Sequence, residues 1–502
     1  MAHRFFQFHK NHAFSVLCTG AIAISTLSYQ NHVNKRKLPS VTYSDDSHNS
    51  STRARLLAAQ PDLDKIFQKH LEDHHIPGLI YGVTLNGELV MHGSKGSVTA
   101  SSTARDGTPP SKESSMFRIA SMSKSFTAMA IIHLRDRGLL KLTDPVFKYV
   151  PEVKQIASLT ADCPPLTIGH LLTMQGGFPQ DDPWGDRLLD MTDEDFSKLL
   201  TSGLYRSNPT GAVYEYSNLG YAILGLVIKN ITHTSYQEYI TRHIFHPLGM
   251  NNTVFESDEA GSNLVQGYRW EENVWKEEPM LHDGAFGAMG GIITTVDDFV
   301  KYMSFHQSAW VEGGAQSVPL CRSSVREMHF PWSVDGVFLE KQSASLTPLP
   351  ASSTSALLPE GGGGTGAVQS QPQPLSQSLS QSEHGSALAG VWSEAYGYGL
   401  KSCRDMKGIR WIRHAGGLPG FRAYYIKYYD IIDMCVVHCC FIPPLIFIPL
   451  YMYSILLFSI IFYYSLWQGS AVSGASFLNM GWVWLCLVTA RTAPQDRRIT
   501  PL

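Results

Sequence analysis

The chain has 502 residues, of which 44% are hydrophobic and 17% are charged, with 40 Lys and Arg residues against 43 Asp and Glu residues. This apolar content excludes a wholly disordered protein, and the near-neutral balance excludes a general electrostatic field for nucleic acid or an anionic membrane. The eight cysteines are too few and too unevenly spaced for a disulfide-stapled module or a zinc site. The sequence therefore predicts no bound metal, no cofactor and no nucleic-acid partner.

Residues 1–60 are predicted to be an N-terminal targeting or anchor segment followed by a linker. The first 44 residues contain no Asp or Glu, and the apolar stretch Ala13–Tyr29 is flanked by basic residues on both sides. A secretory signal, an uncleaved signal-anchor helix and a mitochondrial presequence all fit this pattern, and the lack of an evident cleavage site favours the anchor. We therefore expect a membrane-associated protein of the secretory pathway or of mitochondria.

Folded protein is predicted to begin near Pro61, with a helix that ends near His74, because apolar residues recur there at helical spacing. The segment Gly78–Leu85 then predicts a β-strand. Asn86 and Gly87 predict a two-residue hairpin turn, since both residues tolerate a positive φ. The return strand is predicted over residues 88–96.

Helices and loops dominate the pattern over residues 117–250, and a glycine-rich turn leads to a predicted helix cap at residues 295–298. Residues 341–390 are rich in Ser, Gln, Pro and Gly, and we predict a disordered insertion because they cannot bury enough apolar surface to offset the entropy of ordering. Further strands are predicted at Tyr396–Cys403, Ile409–His414, Phe421–Tyr428 and Ile431–Cys440.

Residues 441–502 are predicted to be an atypical hydrophobic tail. Residues 441–467 carry no charge and are long enough to span a bilayer, which favours a transmembrane helix. A buried C-terminal element of the folded domain and an erroneous end of the sequence are the alternatives.

Ser121 and Lys124 form the first candidate motif, an S-x-x-K sequence before an apolar helix face that begins at Phe126. Ser121 is predicted at the N-terminus of that helix, where free N–H groups and the helix dipole favour developing negative charge. Lys124 lies one turn further on and can reach the Ser121 hydroxyl, and a lysine removed from water by packing can act as a neutral base. By itself this motif is weak evidence, because it arises by chance in chains of this length.

Tyr216 and Asn218 form a second candidate motif, Y-x-N. A tyrosine hydroxyl can relay a proton between a nucleophile and a leaving group, and an asparagine amide can hold both a lysine and a substrate. Taken alone, the motif favours the alternative of a loop tyrosine followed by an asparagine that caps a helix over residues 219–230.

The third candidate motif is His414-Ala415-Gly416-Gly417, which follows a predicted strand. Small residues allow a strand edge to approach an acyl group closely. The N–H group of Gly417 could then join that of Ser121 in an oxyanion hole. A lone histidine before glycines is more often a turn residue than a catalytic one.

The three motifs in this order resemble the serine β-lactamase and penicillin-binding-protein superfamily. The resemblance is closest to the class C β-lactamase-like branch, which includes D-aminopeptidases, D-alanyl-D-alanine carboxypeptidases, esterases and LACTB-type proteins. It covers residues 62–340 and 391–440. It implies an α/β (α+β) fold with a central antiparallel sheet flanked by helices and a mostly helical second domain, with the catalytic domain divided into parts at 61–340 and 391–440.

The resemblance also implies a role for each motif residue. Ser121 would be the acylated nucleophile, Lys124 and Tyr216 would share general base and acid work, and Asn218 would position the substrate and the lysine. His414 would contact the substrate or the Tyr216 hydroxyl.

The implied activity is that of a serine hydrolase acting through an acyl-enzyme on an ester, a small amide or peptide, or a β-lactam. Ser121, His414, Gly416 and Gly417 would form the substrate and oxyanion site for a small molecule or short peptide. A non-catalytic, self-assembling scaffold with the same fold is the main alternative. A membrane-tethered binding protein, suggested by the two apolar ends alone, is a third.

Overall fold

The structure, a computed structural model, describes residues 46–100, 107–180, 186–311, 318–339, 391–406, 408–428 and 432–438. From Leu71 onward these residues form one compact unit, whereas residues 46–70 belong to a second unit. The helices are α1 Asp46–Asp73, α2 Ser123–Asp136, α3 Ile168–Leu172, α4 Asp193–Thr201, α5 Asn218–Thr232, α6 Tyr236–Ile240, α7 His246–Leu248, α8 Ser257–Ala260, α9 Gly287–Gly290, α10 Val296–Ser308 and α11 Arg322–Met328. The strands are β1 Gly78–Leu85, β2 Glu88–Gly96, β3 Phe117–Arg118, β4 Thr253–Val254, β5 Tyr268–Glu271, β6 Val274–Glu277, β7 Ile293–Thr294, β8 Ser333–Leu339, β9 Val391–Tyr396, β10 Lys401–Asp405, β11 Arg410–Leu418, β12 Phe421–Tyr428 and β13 Ile432–His438.

The main sheet is antiparallel throughout and has the order β2-β1-β13-β12-β11-β10-β9-β8. The pairing of β1 with β13 joins the first predicted hairpin to the last predicted strand. Two smaller sheets have the orders β3-β7-β4 and β5-β6. The predicted central antiparallel sheet flanked by helices is therefore confirmed.

The first hairpin is confirmed with the predicted bounds of both strands. Asn86 and Gly87 have φ values of 55° and 83°, as a two-residue hairpin turn requires. Every residue of β1 is buried, which agrees with its position between two neighbouring strands.

Helix α2 is the centre of the helical core, because nearly all of its residues are buried. Such burial requires that other elements surround the helix, and its buried polar side chains need partners in those elements. Helices α5 and α9 pack directly against it. The residue pair that forms the first motif is therefore placed at the start of a rigid, enclosed element.

Two predicted boundaries were wrong. Helix α1 begins at Asp46 instead of near Pro61, and Pro61 lies inside it. The residues just before this proline include strong helix formers such as Leu and Ala, which extend the helix upstream. The predicted strand Tyr396–Cys403 is divided between β9 and β10, because Gly399 has a φ of 75° and turns the chain.

Three predicted segments lie outside the described residues: the targeting segment up to residue 45, the insertion at 341–390 and the tail at 441–502 with its proposed membrane helix. In the part of the chain that the structure describes, no helix combines the length and the apolar character that a membrane span needs. The cellular location stays a prediction.

Candidate active site

Ser121 lies in a single 3-10 turn, Ala120–Met122, immediately before α2. The predicted position at the N-terminus of the helix is thus displaced by one short turn. Ala120 has a φ of 50°, a left-handed conformation that costs a residue with a β-carbon about 1 kcal/mol. The turn is held from outside by a hydrogen bond from the Ile119 N–H to the Ile292 carbonyl at 3.0 Å.

The Lys124 side chain is fully buried, and its Nζ is close to three oxygen atoms. Nζ lies 2.9 Å from Ser121 Oγ, 2.7 Å from Asn218 Oδ1 and 2.8 Å from the Met289 carbonyl oxygen. The amide and carbonyl oxygens can only accept, so they fix two N–H bonds of the amine. The third direction, toward Ser121 Oγ, is where a neutral amine would present its lone pair.

Asn218 is the first residue of α5, but it does not cap that helix. The cap is Ser217, whose Oγ accepts a hydrogen bond from the Gly220 N–H at 3.0 Å. This arrangement leaves the Asn218 amide oxygen for Lys124, so the alternative of a capping asparagine was wrong.

Tyr216 lies across from the lysine, with its ring centroid 5.0 Å from Lys124 Nζ. That distance is within the range of a cation–π contact with a charged amine. The structure therefore brings together all four predicted catalytic positions, Ser121, Lys124, Tyr216 and Asn218.

His414 lies on β11 and is 3% exposed. Its Nδ1 lies 2.6 Å from the Ala415 carbonyl oxygen, which can only accept, so we assign the ring proton to Nδ1. Nε2 then accepts from the Tyr396 hydroxyl at 3.1 Å. Burial, assisted by the Lys124 charge, lowers the pKa of His414 to about 3. The ring is neutral and is hydrogen-bonded to Tyr396, and the expected contact with the substrate or the Tyr216 hydroxyl stays a prediction.

Gly416 allows β11 to lie directly against the 3-10 turn Ala120–Met122, here called the serine turn. A β-carbon at this position would lie 2.1 Å from the Ile119 carbonyl oxygen, so no larger residue fits without displacement of the backbone. At Gly417 a β-carbon would lie 2.3 Å from Arg422 Nη1. Strand β10 pairs with β11 over Arg410–Arg413. The His414–Gly417 segment continues past this pairing, and its Gly416 lies against Ile119 and Ala120.

Three groups around the site were missed from the sequence. They are the Met289 carbonyl, Tyr396 and Tyr221, whose ring centroid lies 5.9 Å from Lys124 Nζ. Burial raises the pKa of both tyrosines well above the usual value, so both phenols stay neutral. A backbone carbonyl has no sequence signature, and neither tyrosine belongs to one of the three motifs.

The described residues contain no group of three or more His, Cys, Asp or Glu side chains that could hold a metal ion. The arrangement can nevertheless perform acid–base and nucleophilic chemistry with its own side chains. A hydroxyl, a buried amine, an amide and a phenol share one site.

Comparison with known proteins gives matches over most of the folded region. The sequence model of the beta-lactamase family matches residues 63–438. The chain is 31% identical over 255 residues to beta-lactamase-like protein 2 of Dictyostelium discoideum, which covers 50% of this chain and 46% of that protein. It is 33% identical over 253 residues to protein flp of Staphylococcus aureus strain MW2, which covers 49% of each.

A solved structure is also similar, that of the octameric penicillin-binding protein homologue from Pyrococcus abyssi. The TM-score is 0.54 with 22% sequence identity, over 76% of this chain and 73% of that one. At this identity the likeness shows a shared fold. The chain spans about half the length of the curated relatives it matches.

Proposed function

The chain belongs to the beta-lactamase family, and on that premise we propose that it is a serine hydrolase that acts through an acyl-enzyme on Ser121. The proposed substrates are small molecules or short peptides that contain an ester, an amide or a β-lactam. The observation that carries the proposal is the position of Lys124 Nζ, 2.9 Å from Ser121 Oγ and held by two further acceptors.

In the proposed first step, Lys124 acts in its neutral form and takes the proton of Ser121 as Oγ attacks the substrate carbonyl carbon. The carbonyl π electrons move to oxygen and form a tetrahedral oxyanion. When the intermediate collapses, the bond to the leaving group breaks, and the proton passes to that group through the Tyr216 hydroxyl. Water then attacks the ester on Ser121, and the same groups return the proton to Oγ.

Two backbone segments that lie close together, the serine turn and the edge of β11, support a site that stabilises the oxyanion. The close approach at Gly416 brings the β11 edge beside the serine turn. We assign the N–H groups of Ser121 and Gly417 as the two oxyanion donors, since backbone donors fixed before the reaction stabilise developing charge without reorganisation.

The test compares two serines of the same segment. Ser121→Ala removes the nucleophile, whereas Ser123→Ala removes a buried hydroxyl that accepts from the Ile292 N–H at 3.2 Å. We expect wild type and Ser123→Ala to form a mass adduct with a member of a panel of p-nitrophenyl esters, D-amino-acid amides and nitrocefin. Turnover should fall by more than about 1000-fold in Ser121→Ala.

Turnover retained in Ser121→Ala would reject the assignment of the nucleophile. A folded wild-type protein that forms no adduct with any of the probes, or with a fluorophosphonate, would favour the self-assembling scaffold instead.

A further inference from the structure

The short helix α9, Gly287–Gly290, supplies acceptors to the helix that carries the catalytic lysine. Its Met289 carbonyl accepts from Lys124 Nζ at 2.8 Å, and its Ala288 carbonyl accepts from Thr127 Oγ1 at 2.6 Å. A four-residue helix with glycine at both ends has little stability of its own. Whatever fixes α9 therefore also fixes the acceptor that orients Lys124.

Asp283 lies against both ends of this helix. A β-carbon on Gly287 would lie 2.3 Å from Asp283 Oδ2, and a β-carbon on Gly291 would lie 1.7 Å from Oδ1. Glycine at these two positions is what allows the carboxylate to sit so close to the backbone. The Asp283 side chain thus fills the space beside α9 at both of these glycines.

The Asp283 carboxyl group is itself held in place. Gln237 Nε2 donates to Oδ2 at 2.5 Å, and the Asp283 N–H donates to Glu256 Oε1 at 3.3 Å. Oδ1 is shielded from solvent and has no hydrogen-bond partner among the residues that the structure describes. Burial raises the pKa of Asp283 to about 7, against smaller opposing effects of Gln237 and the Arg118 charge. Burial of a carboxyl group with one oxygen lacking a partner destabilises the folded state, and carboxyl groups with such raised pKa values are enriched at functional positions.

We propose that Asp283 is a positioning residue for the Ser121 site. It holds α9 in place so that the Met289 carbonyl meets Lys124 Nζ. The inference rests on the proposed function, because its effect is read through acylation of Ser121. Asp283 does not touch the reacting atoms. Its action passes through one helix and one hydrogen bond.

The experiment measures single-turnover acylation of Ser121 by a p-nitrophenyl ester in the full chain. Asp283→Ala should lower the maximal acylation rate by about tenfold or more, because a displaced base slows the chemical step. The ester concentration that gives half of the maximal rate should change little. Asp283→Asn keeps the size of the side chain and should recover most of the rate. Asp190→Ala is the control, since Asp190 lines the same cavity as Asp283, whereas it is the Asp283 carboxylate that lies next to Gly287 and Gly291.

A chemical rescue separates positioning from a general loss of folding. Asp283 lines a cavity of about 810 Å³, through which formate can reach the space left in Asp283→Ala. Formate should raise the acylation rate of this variant, whereas chloride at equal ionic strength should not. If Asp283→Ala does not fold, Gly287→Ala is the second variant: its β-carbon would clash with Asp283 Oδ2, so it should separate α9 from the carboxylate and show the same rate loss.

An acylation rate in folded Asp283→Ala equal to that of wild type overturns the inference and leaves the proposed function intact. A rate loss that neither Asp283→Asn nor formate recovers also overturns it, because the residue would then have only a structural role. Absence of an adduct in the wild type overturns both the inference and the proposed function.

Discussion

Two buried histidines, His306 and His329, form a hydrogen-bonded pair that requires both rings to be neutral. Trp310 Nε1 donates to His329 Nδ1 at 3.0 Å, so the His329 proton is on Nε2. Nε2 then donates to His306 Nδ1 at 2.8 Å. A proton added to His306 Nδ1 would oppose the N–H of His329 Nε2. A proton added to His329 Nδ1 would oppose the N–H of Trp310 Nε1.

This pair predicts a loss of stability in mild acid. Burial lowers the pKa of His306 to about 3 and the pKa of His329 well below its usual value, whereas both titrate near 6.5 when unfolded. Below that pH the unfolded chain binds more protons, so stability is lost as the pH falls from about 6.5 toward the folded-state values. At pH 5 the cost is about 2 kcal/mol for His306, and His329 adds a loss of the same sign.

The measurement is the free energy of urea unfolding at pH 8, 6.5 and 5. His306→Gln removes one of the two rings but keeps an acceptor for His329, so its stability should fall less steeply with acid than that of wild type. His246→Gln, at an exposed histidine, is the control and should keep the wild-type slope. Equal slopes for all three proteins would contradict the prediction.

At the candidate site, residues close in sequence were predictable and their distant partners were not. Ser121 and Lys124 are three positions apart at the start of a helix, so their contact follows from local geometry. Tyr216 and Asn218 were recognised as a candidate motif, but only the resemblance to a family placed them beside Lys124, because no local rule brings them there. The Met289 carbonyl could not be predicted, since any residue type supplies a backbone carbonyl and only the fold selects this one.

Gly416 allows strand β11 to approach the serine turn closely. A β-carbon on Gly416 would meet the Ile119 carbonyl at 2.1 Å, and a backbone atom cannot move aside as a flexible side chain can. Gly416→Ala should therefore displace the strand edge from the serine turn. We expect a loss of about 1–3 kcal/mol in stability from overpacking and a fall of about 100-fold in the acylation rate from misplacement.

Gly220→Ala provides the matched control for Gly416→Ala. Gly220 lies in α5 beside the second motif, but a β-carbon there would have its nearest neighbour at 3.5 Å, an ordinary contact. This variant should keep both the wild-type thermal stability, or slightly more, and the wild-type acylation rate. An unchanged acylation rate in Gly416→Ala would show that the close approach of β11 has no part in the reaction.

Secondary-structure elements were predictable where the turn chemistry was explicit. The β1–β2 hairpin has Asn-Gly at its turn, and both strand bounds follow from that signal. The turn between β9 and β10 is different, because it is buried and lies against α2: a β-carbon on Gly399 would meet the Lys124 carbonyl at 2.6 Å. A buried turn lacks the polar residues that usually reveal one, so its sequence was interpreted as a continuous strand.

The order of the sheet could not be deduced from local patterns. Strand β13 lies between β1 and β12, so the last strand of the sheet pairs with the first. Hydrophobic alternation predicts that a strand exists but not which strand it joins. The antiparallel sheet was therefore an expectation from the family resemblance.

On the scale of the whole molecule, the predicted insertion begins and ends at neighbouring positions of the sheet. Strands β8 and β9 pair antiparallel, and Leu339 is the register partner of Val391. Residues 340–390 therefore connect two adjacent strand ends, where a turn of a few residues is sufficient. The four proposed catalytic residues precede this segment in sequence, the proposed oxyanion residue Gly417 follows it, and all belong to the same compact unit.

Replacement of residues 340–390 by a four-residue glycine-containing turn should preserve the fold and the acylation of Ser121. The shorter connection lowers the entropy cost of closing β8 onto β9, by about 2 kcal/mol for a reduction from about fifty residues to four. Thermal unfolding and single-turnover acylation by a p-nitrophenyl ester are the measurements. A second variant, with the segment scrambled at constant length and composition, tests whether its sequence matters. Loss of acylation in the folded short-turn variant would contradict the prediction. If the scrambled segment preserved acylation, the site would depend on the length of the connection. If acylation were lost in both variants, the site would depend on the sequence of the segment.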